Sequence, residues 1–392
     1  MQDWIDIASH DDAQRFIIEN EHIDVNTLVL KGKELFGLSP NVLAQQISSR
    51  RKIRKKLPSF YNTSGIVYPP VLNLEQTSSE KTALFKSGLF TGNKMIDLTG
   101  GFGIDCWAFS QSFEEVVHCE QNEVLSDIAS QALKKLGKTN IVLEKGTSDQ
   151  ILNRVEGLDL IYVDPGRRHD SKGKVFRLED CAPNVLDHID LYLRKSDRIL
   201  LKLSPMIDVN YVLETLPSIK HIWSISVKNE TKEILVLIDQ SSSEEIKFTA
   251  VDLGEKESVF EVDRSQTETC FSGVKKYIFE PYSSLMKLEG FRSLSSQLNI
   301  CKLGAHAHLF TSDDIIEFPG KKFEVIKTEK FNKGQLKKQL KDQSFSIVTK
   351  AFPLKPEEIR KQFKVKESVS DYLFFYTNNE KEKMAIFAKL II

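Results

Sequence analysis

The fold of this chain is decided by Met95-Ile96-Asp97-Leu98-Thr99-Gly100-Gly101-Phe102-Gly103-Ile104-Asp105. Its first residues are apolar and predict a short strand that ends in the carboxylate of Asp97. The glycines predict a tight turn, and the apolar residues after them predict a helix. Such a corner binds ligands at the carboxyl end of its strand, where glycines let backbone N–H groups approach closely. We therefore expect Asp97, Thr99, Gly100, Gly101 and Gly103 to contact a cofactor.

Three interpretations of this corner compete. A dinucleotide-binding fold requires the pattern G-x-G-x-x-G, but Cys106 stands where the third glycine is expected. The carboxylate of Asp97 is also unfavourable beside a pyrophosphate. S-adenosylmethionine (SAM) has no pyrophosphate and carries an ammonium and a sulfonium, both of which a carboxylate attracts, so SAM explains the sequence better. A glycine-rich turn without any ligand is the third interpretation.

Length and composition place further bounds on the protein. The chain has 392 residues, which predicts two to four domains. Its formal net charge is −1, and 41% hydrophobic and 28% charged residues are typical of a globular protein. No apolar run reaches the length of about 18 residues that a membrane helix needs, and the polar N-terminus does not resemble a signal peptide, so we expect a cytoplasmic protein. Five scattered cysteines argue against a disulfide framework and a zinc site.

Between residues 94 and 239, apolar strand-like runs alternate with helical stretches. This alternation predicts a parallel, doubly wound α/β sheet. The last two runs are separated only by residues 228–233, a connection that can join only antiparallel strands. Seven strands with a final hairpin are typical of the Rossmann-like domain of class I methyltransferases. The predicted strands are Met95–Leu98, Val116–Cys119, Ile141–Leu143, Leu158–Val163, Ile199–Leu203, Ile219–Val227 and Ile234–Ile238.

Two segments are strongly basic although the whole chain is nearly neutral. Residues 50–56 hold six cations in seven positions, at the end of a predicted helix. Residues 321–366 hold fourteen Lys or Arg against five Asp or Glu, a net charge of +9. Clustered cations bind nucleic-acid phosphates by releasing counterions, although such a run is also common on a solvated face. Both interpretations stay open for each segment.

Two further positions are candidates for cofactor binding. Glu120 ends the second strand, where an acid accepts hydrogen bonds from ribose hydroxyls in nucleotide-binding folds. Thr147 follows Gly146 at the end of the third strand, where methyltransferases often hold the adenine amino group. Ser148 and Asp149 share that region, and helix capping explains all three residues equally well.

A second motif, Asp164-Pro165-Gly166-Arg167-Arg168, follows the fourth strand. Pro165 stiffens the loop, so Asp164 is expected to project into the crevice beside the cofactor. Amine-methylating enzymes carry a D/N-P-P-aromatic loop here, in which the acid or amide holds the target amine and the aromatic ring stacks on the base. Without that aromatic residue, Arg167 and Arg168 are candidates for phosphate contact or guanidinium stacking, or for a structural ion pair.

These motifs together resemble a bacterial family of class I SAM-dependent methyltransferases with a C-terminal ferredoxin-like segment and THUMP-like domain. The resemblance covers nearly the whole chain. It also includes Glu75-Gln-Thr-Ser-Ser-Glu-Lys-Thr-Ala83, Lys202-Leu-Ser-Pro-Met206, Leu309-Phe-Thr-Ser-Asp313, Phe318-Pro-Gly320 and Tyr372-Leu-Phe-Phe375. The family usually reads D-P-A-R-R, so Gly166 is a departure that keeps both arginines. The resemblance implies SAM binding but fixes no substrate.

The resemblance and the patterns together define an expected organisation. We expect an N-terminal helical region (1–58), a SAM-dependent methyltransferase domain (59–240), a linker with a ferredoxin-like segment (241–320) and a THUMP-like α+β domain (321–392). The predicted function is SAM-dependent methylation of structured RNA, with Asp164 orienting the target nitrogen and both basic segments gripping phosphates. An RNA-binding or assembly factor with a vestigial SAM site, and a methyltransferase for protein or small molecules, are the alternatives. No metal is expected, and the sequence does not predict an oligomeric state.

Overall fold

The computed structural model describes residues 3–167 and 177–391. The chain forms two compact units, residues 1–220 with 235–244 and residues 221–234 with 245–392. The helices are α1 (Asp3–Ser9), α2 (Asp11–Glu19), α3 (Val25–Lys31), α4 (Pro40–Ile53), α5 (Pro58–Asn62), α6 (Val71–Gln76), α7 (Glu80–Ser87), α8 (Ile104–Phe109), α9 (Glu123–Lys135), α10 (Ser148–Leu152), α11 (Val185–Lys195), α12 (Val209–Thr215), α13 (Ser283–Lys287), α14 (Phe291–Leu298), α15 (Lys333–Gln339) and α16 (Pro356–Phe363).

The strands outnumber the helices slightly among the described residues and form three sheets. The strands are β1 (Gly92–Asp97), β2 (Phe113–Glu120), β3 (Ile141–Lys145), β4 (Leu160–Val163), β5 (Gly166–Arg167), β6 (Cys181–Ala182), β7 (Arg198–Leu203), β8 (Ile219–Val227), β9 (Glu230–Asp239), β10 (Lys247–Leu253), β11 (Glu257–Glu261), β12 (Tyr277–Pro281), β13 (Cys301–Lys302), β14 (Phe310–Ser312), β15 (Gly320–Lys330), β16 (Ser346–Lys350), β17 (Asp371–Thr377) and β18 (Lys383–Ile391).

The largest sheet has the strand order β11-β10-β8-β9-β7-β4-β1-β2-β3. β1 pairs in parallel with β2 on one side and with β4 on the other, while β2 pairs with β3 and β4 with β7. The chain therefore reverses its direction of strand addition at β1. Such a switch point leaves a crevice at the carboxyl ends of the strands, which is where ligands bind in open α/β sheets.

The predicted seven-stranded α/β domain is confirmed, and two strands extend its sheet. β8 and β9 are joined by Lys228 and Asn229 alone, with φ of 53° and 63°. Two consecutive residues with positive φ are typical of a type I′ turn, whose twist matches that of antiparallel strands. β10 pairs in parallel with β8, and β11 returns antiparallel to β10. Both added strands lie within residues 241–320, for which the sequence predicted a linker with a ferredoxin-like segment.

Most cationic side chains of the basic segment 50–56 make contacts inside the protein. The Arg50 guanidinium is buried, pairs with Glu21 and lies 4.1 Å from the ring centroid of Tyr61. Arg51 donates to the carbonyl oxygens of Glu21 and Ile23. Lys52 pairs with Glu75, and Lys56 donates to the carbonyl oxygens of Leu74 and Glu75, so four of the six cations contact neighbouring segments. Phosphate binding by this segment stays a prediction.

In the C-terminal region, a seven-stranded sheet carries a core on each face. Its order is β13-β14-β12-β15-β18-β17-β16. Side chains alternate along β17, so Phe374 packs with Phe323 on one face while Phe375 and Leu373 pack with helix residues on the other. Because both faces of the sheet are covered, alternate residues of β17 pack into the two cores. Residues that face either core must be apolar, so the sequence of the strand is a continuous apolar run.

The cysteine prediction is wrong at one pair, because Cys270 and Cys301 form a disulfide. The two residues are 31 positions apart, and backbone pairing brings them together: the N–H of Lys302 donates to the carbonyl of Cys270 at 2.8 Å. Counting cysteines could not reveal this tertiary contact. The other three cysteines are buried. No helix among residues 3–167 and 177–391 is long and apolar enough to cross a membrane.

Candidate active site

A cavity of about 820 Å³ opens at the carboxyl ends of the central strands. Its volume lies within the range of roughly 300–1,000 Å³ that is usual for small-molecule sites. The glycine corner, the ends of β2, β3, β4 and β7, and the segment before α7 all contribute to its wall. Its polar lining includes Asn73, Gln76, Thr77, Ser78, Thr99, Asp105, Glu120, Thr147, Ser148, Asp164 and Ser204.

The glycine turn is fixed by hydrogen bonds that its conformation makes possible. Gly101 and Gly103 have φ of 53° and 81°, a region that favours glycine. The N–H of Gly101 donates to Oε2 of Glu120 at 3.0 Å, and the other oxygen of Glu120 accepts from the N–H of Asn122 at 2.7 Å. Glu120 therefore joins the end of β2 to the turn, and its carboxylate faces the cavity. Asn122 caps α9, because its side-chain oxygen accepts from the N–H of Leu125.

His118 supports the turn from below and gave no signal in the sequence. Its side chain is fully buried, and its Nε2 lies 3.1 Å from the carbonyl oxygen of Gly101. Because a carbonyl only accepts, Nε2 carries the proton in this contact. Burial lowers the pKa of His118, so the ring is neutral. A Cβ on Gly100 would lie 2.5 Å from this ring, so the close packing of turn on imidazole requires glycine there.

Asp97 lies behind the cavity wall rather than on it. The carboxylate is 2% exposed and accepts from the N–H and the hydroxyl of Thr99 at 2.9 and 3.1 Å. The hydroxyl oxygen of Thr99 in turn accepts from the N–H of Asp164 at 2.8 Å. Burial, together with the charge of Asp105, raises the pKa of Asp97 to about 7. Asp97 thus reaches the cavity only through Thr99.

Asp105 anchors a buried charge network beside the cavity. Lys86, whose side chain has no solvent exposure, lies 2.9 Å from Oδ1 of Asp105. The hydroxyls of Ser78 and Tyr162 donate to Oδ2 at 2.7 and 3.2 Å. Burial would raise the pKa of Asp105, but the charges of Lys86 and Lys202 outweigh it and hold that pKa below its ordinary value. Asp105 is therefore ionised and fully paired, as a buried charge must be.

Asp164 reaches the cavity, as its motif predicted. Its carboxylate pairs with the ammonium of Lys202, which lies on β7. Pro165 is buried behind the loop, and the backbone of Gly166 and Arg167 pairs with Ala182 and Cys181 in a two-stranded ribbon. Ala182 and Pro183 line the cavity, a contribution that the sequence did not predict. Arg168 lies outside the described residues, so its predicted role stays a prediction, as does that of Arg167.

The remaining predicted residue, Thr147, lines the cavity and caps α10 together with Gln150. The more important omission is the segment from Asn73 to Ser78, which supplies four wall residues. Its sequence contains a run of hydroxyl and amide residues, which are able to contact a ligand, but helix capping explains such a run equally well. Ser79 does cap α7, by accepting from the N–H of Thr82, whereas Ser78 turns into the cavity wall.

Comparisons with known proteins agree with this architecture. A family model described as a ferredoxin-like domain matches residues 277–319, and one described as THUMP domain-like matches residues 320–389. A crystal structure of a Porphyromonas gingivalis W83 protein, provisionally described as a methyltransferase, is 26% identical with a TM-score of 0.89, and the match covers 100% of this chain and 99% of that one. The chain is a methyltransferase with this fold. The predicted class I SAM-dependent methyltransferase fold and both predicted C-terminal domains are therefore confirmed.

Smaller methyltransferases match only part of this chain. An rRNA methylase of Streptococcus thermophilus is 18% identical with a TM-score of 0.31, and the match covers 41% of this chain and 92% of that one. TrmK of M. capricolum, solved with S-adenosyl-homocysteine, is 13% identical with a TM-score of 0.32, over 41% and 70% of the two chains. The sequence matches no curated protein.

The wall of the cavity fits SAM better than a dinucleotide. The carboxylates of Asp105, Glu120 and Asp164 all line it, which is unfavourable for a pyrophosphate and favourable for a cationic ligand with ribose hydroxyls. Among residues 3–167 and 177–391, no group of three or more His, Cys, Asp or Glu side chains is arranged to hold a metal ion.

Replacing Gly100 with alanine tests the packing of the turn on His118. The new methyl group has no space beside the buried ring, so the turn must shift and affinity for S-adenosylhomocysteine should fall at least tenfold, about 1.4 kcal/mol. Calorimetric titration measures this loss. Gly273→Ala is the control, since no atom lies within 4 Å of its added Cβ. Equal affinity of wild type and Gly100→Ala would contradict the role given to His118.

The pKa of Asp97 predicts a pH dependence of stability. The folded protein keeps this proton up to about pH 7, whereas an unfolded chain releases it near pH 4. The stability that the protonated Asp97 side chain contributes to the folded state is therefore fully present below pH 4 and is lost as the pH rises through 7. Relative to Asp97→Asn, the wild-type free energy of unfolding should therefore fall by about 1.4 kcal/mol per pH unit between about pH 5 and 7. Urea unfolding at several pH values measures this, and a constant difference would refute it.

Proposed function

We propose that this protein transfers a methyl group from SAM to a nitrogen of a structured RNA. The observation that carries the proposal is the position of Asp164. Its carboxylate lies on the wall of a SAM-sized cavity and pairs with Lys202, and its backbone N–H donates to the hydroxyl of Thr99. A carboxylate at this place is a hydrogen-bond acceptor for an amine beside the bound cofactor. When bound, SAM supplies an electrophilic methyl group on its sulfonium.

The cofactor would be held by the glycine turn and the strand ends around it. Gly101 and Gly103 allow close approach of the backbone, and Glu120 would accept from the ribose hydroxyls. Thr99 lies between Asp97 and the cavity, so we assign to Asp97 the indirect task of orienting Thr99 at the methionine end. Thr147, at the start of α10, would lie near the adenine. These residues bind and orient, which is what in-line methyl transfer mainly requires of a protein.

Support for an RNA substrate comes from the C-terminal domain. The THUMP domain-like match covers residues 320–389, and THUMP domains are RNA-binding. Ten lysines of the segment 321–366 are exposed, and only Lys327 and Lys330 of these ten are in an ion pair among the described residues, which leaves eight without one. These are Lys333, Lys337, Lys338, Lys341, Lys355, Lys361, Lys364 and Lys366. We therefore assign phosphate binding to this segment and not to residues 50–56, whose cations are mostly engaged.

The first experiment compares wild type with Asp164→Ala. Methyl transfer from labelled SAM to RNA from cells lacking this protein should fall at least about a hundredfold, because the target amine loses its acceptor. S-adenosylhomocysteine binding, followed by calorimetry, should change little. Asp190→Ala removes an exposed carboxylate on α11 and serves as the control. Wild-type transfer by Asp164→Ala would refute the assignment, and absence of transfer to RNA by wild type would refute the proposed substrate.

A second experiment separates the two basic segments. Reversing charge at Lys337, Lys338 and Lys341 should weaken RNA binding and reduce the salt dependence of the binding constant by about one counterion per lost phosphate contact. Reversing Arg54 and Lys55, which are exposed in the other segment, should have a much smaller effect. Filter binding over a range of salt concentrations measures both. The opposite order of effects would return the phosphate-binding role to residues 50–56.

A further inference from the structure

Lys202 lies between two carboxylates of the active site. Its side chain, on β7, is 12% exposed, and its ammonium pairs with Oδ2 of Asp164 at the end of β4. Its charge also acts on Asp105, which belongs to the first turn of α8. Asp105 and Asp164 both line the cavity, whereas Lys202 is not among the residues of its wall. Lys202 therefore lies behind the surface that meets the ligand.

The same network extends to a third wall of the cavity. Lys86 pairs with Asp105 at 2.9 Å and also donates to the hydroxyl of Ser78 at 2.8 Å. Ser78, from the segment before α7, lines the cavity and donates to Asp105. The ammonium of Lys86 thus contacts Asp105, and the ammonium of Lys202 contacts Asp164 and lowers the pKa of Asp105 by its charge. They join three wall residues that come from separate elements of the chain.

This arrangement has a physical consequence for Asp164. Its backbone N–H is held by Thr99, and one carboxylate oxygen is held by Lys202, so neither the loop nor the side chain is free to turn. Among residues 3–167 and 177–391, no hydrogen bond to Oδ1 is found, and we take this oxygen as the acceptor that meets a ligand. A charge-assisted hydrogen bond is stronger and more directional than a neutral one, which suits a group that must orient a reacting nitrogen.

We propose that Lys202 is a positioning residue for methyl transfer, which acts by fixing the carboxylate of Asp164 relative to the cofactor-binding helix α8. The inference rests on the proposed function. In the step that Asp164 orients, the nitrogen lone pair forms the N–C bond, the C–S bonding electrons return to sulfur, and the proton of the amine leaves to water. Lys202 neither donates nor accepts a proton in this step.

The test compares Lys202→Met with Lys202→Arg in the full chain. Lys202→Met should lower kcat for RNA methylation about a hundredfold while the KM for SAM and the affinity for S-adenosylhomocysteine change little, because the loop is mispositioned but the cofactor site is intact. Lys202→Arg, which keeps the charge and a donor, should recover most of kcat. Lys94→Met is the control, since Lys94 pairs with Glu115 on the same sheet but does not line the cavity. An unchanged kcat in Lys202→Met, or an equal loss in Lys202→Arg, would overturn the proposal.

A second measurement does not depend on the RNA substrate. Hydrogen exchange of the peptide covering residues 160–166 reports on the Asp164 amide, which Thr99 protects in the wild type. Lys202→Met should speed this exchange at least about tenfold, while Lys202→Arg and Lys94→Met should match the wild type. Unchanged exchange in Lys202→Met would overturn the positioning role even if RNA is methylated. Faster exchange without any RNA methylation would support Lys202 and refute only the proposed substrate.

Discussion

The active site depends on a chain of two hydrogen bonds that crosses the switch point of the sheet. The N–H of Asp164 donates to the hydroxyl of Thr99, and that hydroxyl donates to Asp97. β1 and β4 are neighbours in the sheet, so their ends meet here, and the threonine hydroxyl joins the cofactor turn to the loop proposed to hold the target. A hydroxyl can accept one hydrogen bond and donate another. Neither an apolar side chain nor an ionised carboxylate could do both at this point.

The charges around this link are costly to bury, and their arrangement shows how the fold offsets that cost. Asp97, Asp105 and Lys86 are all nearly inaccessible to solvent. Removing one partner of such a network leaves an uncompensated charge in a medium of low dielectric constant, which typically costs 3–5 kcal/mol. Asp105 keeps its charge because two lysines surround it, while Asp97 has hydroxyl, amide and thiol partners and retains its proton more readily. Two aspartates eight positions apart therefore differ in protonation for reasons that lie in their neighbours.

The two basic segments have a similar density of positive charge in the sequence, but their side chains make different contacts in the structure. Residues 50–56 fold against acidic and carbonyl partners from α6 and from the connection between α2 and α3, so their charge stabilises the N-terminal helices. The lysines on and around α15 and α16 have no such partners among the described residues, because the apolar sides of both helices pack on the sheet and their other sides face solvent. Charge density alone does not distinguish these cases. What decides is whether a folded partner lies within reach.

The sequence by itself determined the sheet, its hairpin and the chemistry of the glycine corner, because apolar periodicity and glycine act locally and need no distant partner. It also placed Asp164 at the crevice, since a carboxylate directly after a strand of a parallel sheet lies at the ligand-binding edge. Only the tertiary structure decided the rest. His118, Lys86, Lys202 and Ser78 are ordinary residues in ordinary positions, and they gain their roles from contacts with segments between 8 and 38 residues away. The disulfide and the ion pair of Arg50 also join residues that are distant in sequence. Such pairing depends on the path of the folded chain, and the residues next to each partner in the sequence do not indicate it.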